Sequence, residues 1–186
     1  KKANAAIFLE QEVNDKNEDE LLNGWLDLMA KFNGLVDESW VGLDQKKQNE
    51  FLDFRHEIAV VINEMMARRG LRKVGTDMAV PDNQLETMMK FYRDTIRESG
   101  LDSATFGHIG NNHLHVNLLP KSKEEFDQAW ALYRKWIEKV IQLGGTVSAE
   151  HGIGKIKVPF LEMMYGPKVI DEMRALKLAL DPANIL

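Results

Sequence analysis

The chain has 186 residues, 44% hydrophobic and 28% charged, with a net charge of −5 and no cysteine. That length supports a domain with a sizeable core, while the acidic balance and the lack of a basic stripe argue against nucleic acid as a partner. Absence of cysteine excludes disulfides, thiolate metal sites and thiol nucleophiles, and no apolar run approaches the ~18 residues of a membrane span.

Lys2 to Val13 contains Ala5-Ala6-Ile7-Phe8-Leu9, an apolar run of strand length. Asn17 followed by Glu20 reads as an N-cap with a carboxylate at N3. It opens a helix through Leu21, Leu22, Trp25, Leu28, Met29 and Phe32, stopped by Gly34. A second helix is expected from about Gln45 to Arg69, with Phe51, Phe54, Ile58, Val61, Ile62 and Met65 inward and Gly70 as its stop. Lys73 to Val80 reads as a strand, and Pro81-Asp82 starts a helix through Leu85, Met88, Met89, Tyr92 and Ile96 that Gly100 closes.

A histidine-bearing hairpin follows, from about Ser103 to Leu119. Ser122-Lys123-Glu124-Glu125 is a capping box, opening a long helix with Phe126, Trp130, Tyr133, Ile137, Val140 and Ile141 on one face. Gly144-Gly145 ends it, and Thr146-Val147-Ser148 returns as a strand. A last helix runs from Pro167 through Ile170, Met173, Leu176 and Leu180 to Asp181-Pro182. The fold class is α+β. The order β-α-β-β-α-β over residues 71–150 predicts a ferredoxin-like antiparallel sheet with both helices on one face and the other face free for a ligand. Residues 1–70 would extend that sheet, and 151–186 would form a C-terminal helical segment of the same domain. Lys1 is not an initiator Met and no polar tail follows Asp181-Pro182-Ala183-Asn184-Ile185-Leu186, so a C-terminal piece of a longer chain is expected.

Three of the five histidines fall in Gly107-His108-Ile109-Gly110-Asn111-Asn112-His113-Leu114-His115-Val116-Asn117. A two-residue turn at Asn111-Asn112 would pair Gly110 with His113 and Ile109 with Leu114, setting His108 directly opposite His115. Cross-strand neighbours have Cβ atoms roughly 4.5–5.5 Å apart, close enough for two imidazoles to hold one metal ion. His113 shares a face with His115 and reads as a further ligand, a second-layer residue or a structural one. His56, on a helix without a visible partner, reads as solvent-facing or at the core edge. The second dense segment, Gly144 to Gly154, packs four glycines around Glu150 and His151. Glu150 with His108 and His115 makes a two-His, one-carboxylate set that leaves open positions on a divalent ion.

At these segments the chain resembles the C-terminal cap domain of FAD-linked oxidases and dehydrogenases of the vanillyl-alcohol oxidase superfamily, in the branch of 2-hydroxy-acid dehydrogenases (glycolate oxidase FAD subunit, D-lactate and D-2-hydroxyglutarate dehydrogenases). Residues 107–117 match the family pattern Gly-His-x-Gly-Asp-Gly-Asn-x-His-x-Asn. Ala149-Glu150-His151-Gly152-Ile153-Gly154 matches Gly-Glu-His-Gly-Ile-Gly, and Leu180 to Leu186 matches Leu-Asp-Pro-x-x-Ile-Leu. The resemblance implies His108, His115 and Glu150 as ligands of zinc, manganese or iron, and His151 as the base. It also implies Asn117 and Arg55 as substrate contacts, and FAD held mainly by an N-terminal FAD-binding domain outside these residues. It implies a small 2-hydroxy acid as substrate, with an electron-acceptor protein or a quinone as a further partner. A cytoplasmic protein is expected, with peripheral attachment at the inner face of the membrane left open. Departures are Asn111-Asn112-His113 for Asp-Gly-Asn, Ala149 for Gly, Ala59 for a hydroxyl residue and Gly75 for a substrate-binding Lys. Two other readings stay open: a metal-independent oxidase of alcohols or phenols, and a non-catalytic ferredoxin-like binding module.

Overall fold

The computed structural model describes residues 3–14 and 16–185. The chain divides into two compact units, residues 1–62 and 63–186. In the first, helix α1 (Glu18–Lys31) carries Glu18, Asp19 and Glu20 in its first turn and Lys31 in its last, complementing the helix dipole at both ends. Asn17 holds the N-cap position, but its side chain turns outward to accept from the Asn14 N–H at 2.8 Å. Helix α2 (Gln45–Arg68) has nearly the expected bounds. The Ala5–Leu9 run is not a strand. Apolar content alone does not make one, because a strand's N–H and C=O groups need a neighbouring ladder, and no described residue before Val74 pairs in the sheet.

The second unit carries the sheet. Strands β1 (Val74–Gly75) and β2 (Met78–Ala79) both pair antiparallel with β4 (His113–Leu118), and β3 (Ser103–His108) pairs with the opposite edge of β4. Val74↔Leu118 and Met78↔Leu114 keep one register, so β1 and β2 are one strand interrupted at Thr76. There the Thr76 hydroxyl enters the ladder, donating to Leu114 O at 3.0 Å and accepting from the Val116 N–H at 2.9 Å. The expected fourth strand at 146–148 is reduced to a single bridge, Ala79↔Thr146. With that bridge the spatial order is the ferredoxin-like one, 146, 74–79, 113–118, 103–108.

Helix α3 (Leu85–Ser99) follows a 3-10 turn at Asp82–Gln84 and ends at Gly100, whose φ of 69° is the left-handed cap expected there. Helix α4 (Lys123–Gln142) starts at the predicted box: Ser122 Oγ accepts from the Glu125 N–H at 3.2 Å, and Glu125 reaches back to the Lys121 N–H at 2.8 Å. Helix α5 (Val158–Leu180) begins nine residues before the expected Pro167. Gly166 (φ 78°, ψ 165°) breaks it, and Pro167 opens the second half. No helix among the described residues is long and apolar enough to cross a membrane.

Alternate residues of the central strands, Val74, Met78, Val116 and Leu118, pack with Met88 and Tyr92 of α3 and Trp136, Ile137 and Val140 of α4. Burial of each large side chain contributes about 1.5–3 kcal/mol. The buried Trp136 indole still finds a partner, donating to Thr95 Oγ1 at 2.9 Å, and Tyr92 packs edge-on against it at 4.9 Å. Both helices cover one face, so the other is left to the polar residues of the strands.

The hairpin register differs from the expected one. Residues 109–111 form a 3-10 turn and Asn112 alone takes positive φ (52°), so the loop has four residues and His108 faces His113 while His115 faces Phe106. A tight turn needs positive φ at both central positions, and only one Asn adopts it. The slip is two residues, an even number, so every histidine keeps its face. Gly107 is fixed by this register. Its φ is 149° and a Cβ there would lie 2.6 Å from His113 O.

Candidate active site

Paired residues share a face, so His108 with His113, Phe106 with His115, and Ala104 with Asn117 lie on the side away from α3 and α4. The β1–β2 register brings Gly75 and Asp77 to the same open side. The loop after Thr146 then carries Glu150 and His151 over it.

Glu150 is the hub. Its Oε1 lies 3.0 Å from His115 Nε2 and 3.1 Å from His151 Nε2, and its Oε2 lies 3.8 Å from His113 Nδ1 and 3.9 Å from His108 Nε2. The His115 and His151 rings stack at 5.1 Å with 4° between planes, and His113 stands edge-on to His115 at 4.4 Å. Burial by itself pushes the Glu150 carboxyl up, but the imidazoles of His113, His115 and His151 outweigh it and hold the group below the ordinary value. His113 is shifted down, first by burial and then by the His115 imidazole, which favours its neutral form.

His115 defines the chemistry most sharply. Its Nδ1 lies 3.0 Å from Thr76 O, and a carbonyl oxygen only accepts, so Nδ1 carries a proton. The carboxylate oxygen at Nε2 is an acceptor too. Such a ring needs either a second proton or a metal ion at Nε2; a second-layer carbonyl at the far nitrogen is the usual support of a metal-bound imidazole. Asp77, His115, Glu150 and His151 each offer a ligand atom, all within 4.8 Å of one another. Imidazole nitrogens beside a carboxylate, as at His108, His115 and Glu150, are donors that a divalent cation takes, so the chemistry of these residues fits one.

Asp77 was not expected from the sequence. Its side chain is 3% exposed, and its oxygens take Lys157 Nζ at 2.5 Å, Ser148 Oγ at 2.8 Å, and the Glu150 and His151 N–H groups at 3.1 Å each. Burial favours its neutral form, but these donors, Lys157 foremost, outweigh it and hold the carboxyl far below the usual range. The signal available in the sequence was a lone carboxylate inside the apolar run Val74 to Val80; nothing marked Lys157. His113 Nε2 is buried 3.1 Å from Asp77 Oδ1, yet misaligned for a hydrogen bond, leaving that nitrogen without one.

The structure therefore brings together His108, His113, His115, Glu150 and His151. Asn117 lies two residues beyond His115 on the same face, 2% exposed, donating from its amide to His115 O at 3.1 Å and Ala104 O at 3.4 Å. Its Oδ1 faces Gly75, where a Cβ would approach to 2.6 Å. Arg55 belongs to the first unit, on α2, with its guanidinium 5.9 Å from the Phe8 ring centre. His56 is on the same helix, exposed.

Fold and site together define a histidine–carboxylate centre on the open face of a ferredoxin-like sheet. The family of FAD linked oxidases, C-terminal domain, matches residues 1–186, and the chain belongs to it. Among curated relatives, glycolate oxidase subunit GlcD of Bacillus subtilis is 38% identical over 59% of this chain and 24% of its own length. D-2-hydroxyglutarate dehydrogenase of Stutzerimonas stutzeri is 30% identical over 85% of this chain and 35% of its own. The probable mitochondrial D-lactate dehydrogenase of Danio rerio is 25% identical over 97% of this chain and 36% of its own. The chain thus spans about a quarter to a third of these relatives.

Proposed function

We propose that this chain is the substrate- and metal-binding part of an FAD-dependent 2-hydroxy-acid dehydrogenase or oxidase, of the glycolate, D-lactate or D-2-hydroxyglutarate type. The observation that carries the reading is His115, protonated at Nδ1 toward a carbonyl and turned at Nε2 to a carboxylate that also meets His151. The names of the relatives supply the substrate class.

His108, His115 and Glu150 would hold the divalent ion, zinc, manganese or iron, with His113 behind them. When bound, the metal supplies positive charge that favours the alkoxide form of the substrate hydroxyl, and FAD, held by residues outside this chain, supplies a hydride acceptor. His151 takes the hydroxyl proton at an imidazole nitrogen. Its ring is exposed on the open face, and Glu150 at Nε2 orients it. A histidine titrates near working pH, as a general base requires. Arg55 would grip the substrate carboxylate, a task suited to a planar guanidinium fork, and Asn117 would face the substrate from β4. Electrons would leave to a protein acceptor or a quinone; one relative, of Saccharomyces cerevisiae, carries the word cytochrome in its name.

The test uses the protein as its gene encodes it. Turnover of glycolate, D-lactate and D-2-hydroxyglutarate is followed with a dye acceptor, alongside metal analysis, before and after mild chelation. One of the acids should be oxidised, with activity lost on stripping and restored by a divalent ion. Activity indifferent to stripping selects the metal-independent oxidase. Absence of both flavin and turnover selects the non-catalytic module.

A further inference from the structure

The loop that carries Glu150 and His151 has little backbone ladder of its own. Beyond the single bridge at Thr146, residues 147–157 pass over the sheet without strand pairing until α5 begins at Val158. Val147 is buried in the core and Ile153 packs against it, while the polar anchorage of residues 148–151 to the sheet comes from one residue, Asp77. Asp77 O accepts from the Ala149 N–H at 2.9 Å, Asp77 Oδ1 from the Glu150 N–H, and Asp77 Oδ2 from the His151 N–H and the Ser148 hydroxyl. Four consecutive residues, 148–151, thus meet one aspartate, and the single Ser148 hydroxyl proton is shared between Asp77 Oδ2 and Gly152 O, 2.7 Å away. At the far end of the loop Lys157 returns its ammonium to Asp77 Oδ2, and to Ser148 Oγ at 3.0 Å.

We propose that Asp77 and Lys157 form a buried ion pair that positions the Glu150–His151 loop, with Asp77 an anchor for the site and not one of its metal ligands. This deepens the reading given under Proposed function and rests on it for the roles of Glu150 and His151. Distance alone would count Asp77 among the ligand atoms. Its oxygens are already committed: three donors meet Oδ2, and Oδ1 takes the Glu150 N–H with His113 Nε2 also 3.1 Å away. A carboxylate is suited to the task because, ionised, it only accepts. Two adjacent N–H groups and a hydroxyl can all point at it, which an amide with its own N–H donors cannot reproduce. Lys157 supplies the counter-charge that burial demands, since removing one partner of a buried pair leaves an uncompensated charge. The pair thereby ties the loop's two ends to the strand that flanks His115, which sets where the Glu150 carboxylate meets the imidazoles.

The test compares Asp77→Asn, Lys157→Met and the milder Ser148→Ala in the protein as its gene encodes it. Amide hydrogen exchange is read residue by residue, and affinity is measured for manganese(II) alone. We expect exchange at Glu150 and His151 to accelerate about tenfold or more in the first two variants and less in Ser148→Ala, while Val116 and Val140 keep their protection. Manganese affinity should fall about 10–100-fold in both Asp77→Asn and Lys157→Met, as for lost support around a metal ligand. Unchanged exchange at Glu150 and His151 in Lys157→Met overturns the proposal. So does manganese affinity that falls in Asp77→Asn but not in Lys157→Met, which would make Asp77 a ligand. If the two stronger variants fail to fold, Ser148→Ala decides by the same local exchange. Wild-type protein that binds no manganese counts against the metal reading, while the exchange result still judges the anchor.

Discussion

The two halves of the site are built by different means. The histidine hairpin is held by backbone: six consecutive residue pairs join β3 to β4, and the parity of the pleat aims the imidazoles. The Glu150–His151 loop is held by a side chain, Asp77, and by the ion pair that keeps it charged. A ladder spreads its strength over many bonds and tolerates the loss of one. An anchor concentrates it, and single substitutions there should be felt by the whole loop.

The largest expected effect lies in the loop's chemistry. In the protein as its gene encodes it, His151→Ala should cut turnover of the 2-hydroxy acid about 10²–10⁴-fold, as for a lost general base, with the thermal midpoint little changed because the ring is exposed. Steady-state kinetics check this, and turnover within a few-fold of wild type would remove His151 from that role. On the hairpin side, Gly107→Ala places a Cβ 2.6 Å from His113 O at φ 149°. It should destabilise the 63–186 unit by about 1–3 kcal/mol, read by denaturant unfolding. Gly152→Ala, in the loop at φ 73° with no atom within 4 Å of the added Cβ, should cost about 1 kcal/mol. Equal costs would remove the close approach to His113 O as the cause of the larger loss. Thr76→Val removes the hydroxyl that bridges Leu114 O and the Val116 N–H. A loss of about 1 kcal/mol is expected, because the neighbouring pairs of the ladder remain.

The smallest effect is confined to high pH. Burial, reinforced by the Asp77 charge, pushes the Tyr133 phenol up to about 12 from its ordinary 10.0. A group harder to ionise when folded adds stability that is fully present below pH 10 and is lost as pH rises toward 12. Unfolding followed between those values should show the decline, and Tyr133→Phe should flatten it.

Most of the fold could be read from residue pattern. The Ser122 box, the Gly100 stop and the apolar faces of α3 and α4 are local signals, and local hydrogen bonding obeys them. The expected strand at Ala5–Leu9 and the full strand at 146–148 failed because a strand is a relation between segments, which composition does not supply. The missed first half of α5 hid behind Gly166, whose break made Pro167 look like the start.

The sequence by itself determined that His108, His113 and His115 share a face, since a period of two survives a shift of two residues, and that Glu150-His151 sits among flexible glycines. Tertiary structure alone decided the rest: that His108 faces His113, that Glu150 lies among four imidazoles, and that Asp77 and Lys157, eighty positions apart, meet in the interior to hold that loop. Periodicity is a property of the chain, whereas the meeting of distant charges depends on burial, which only the packed sheet provides.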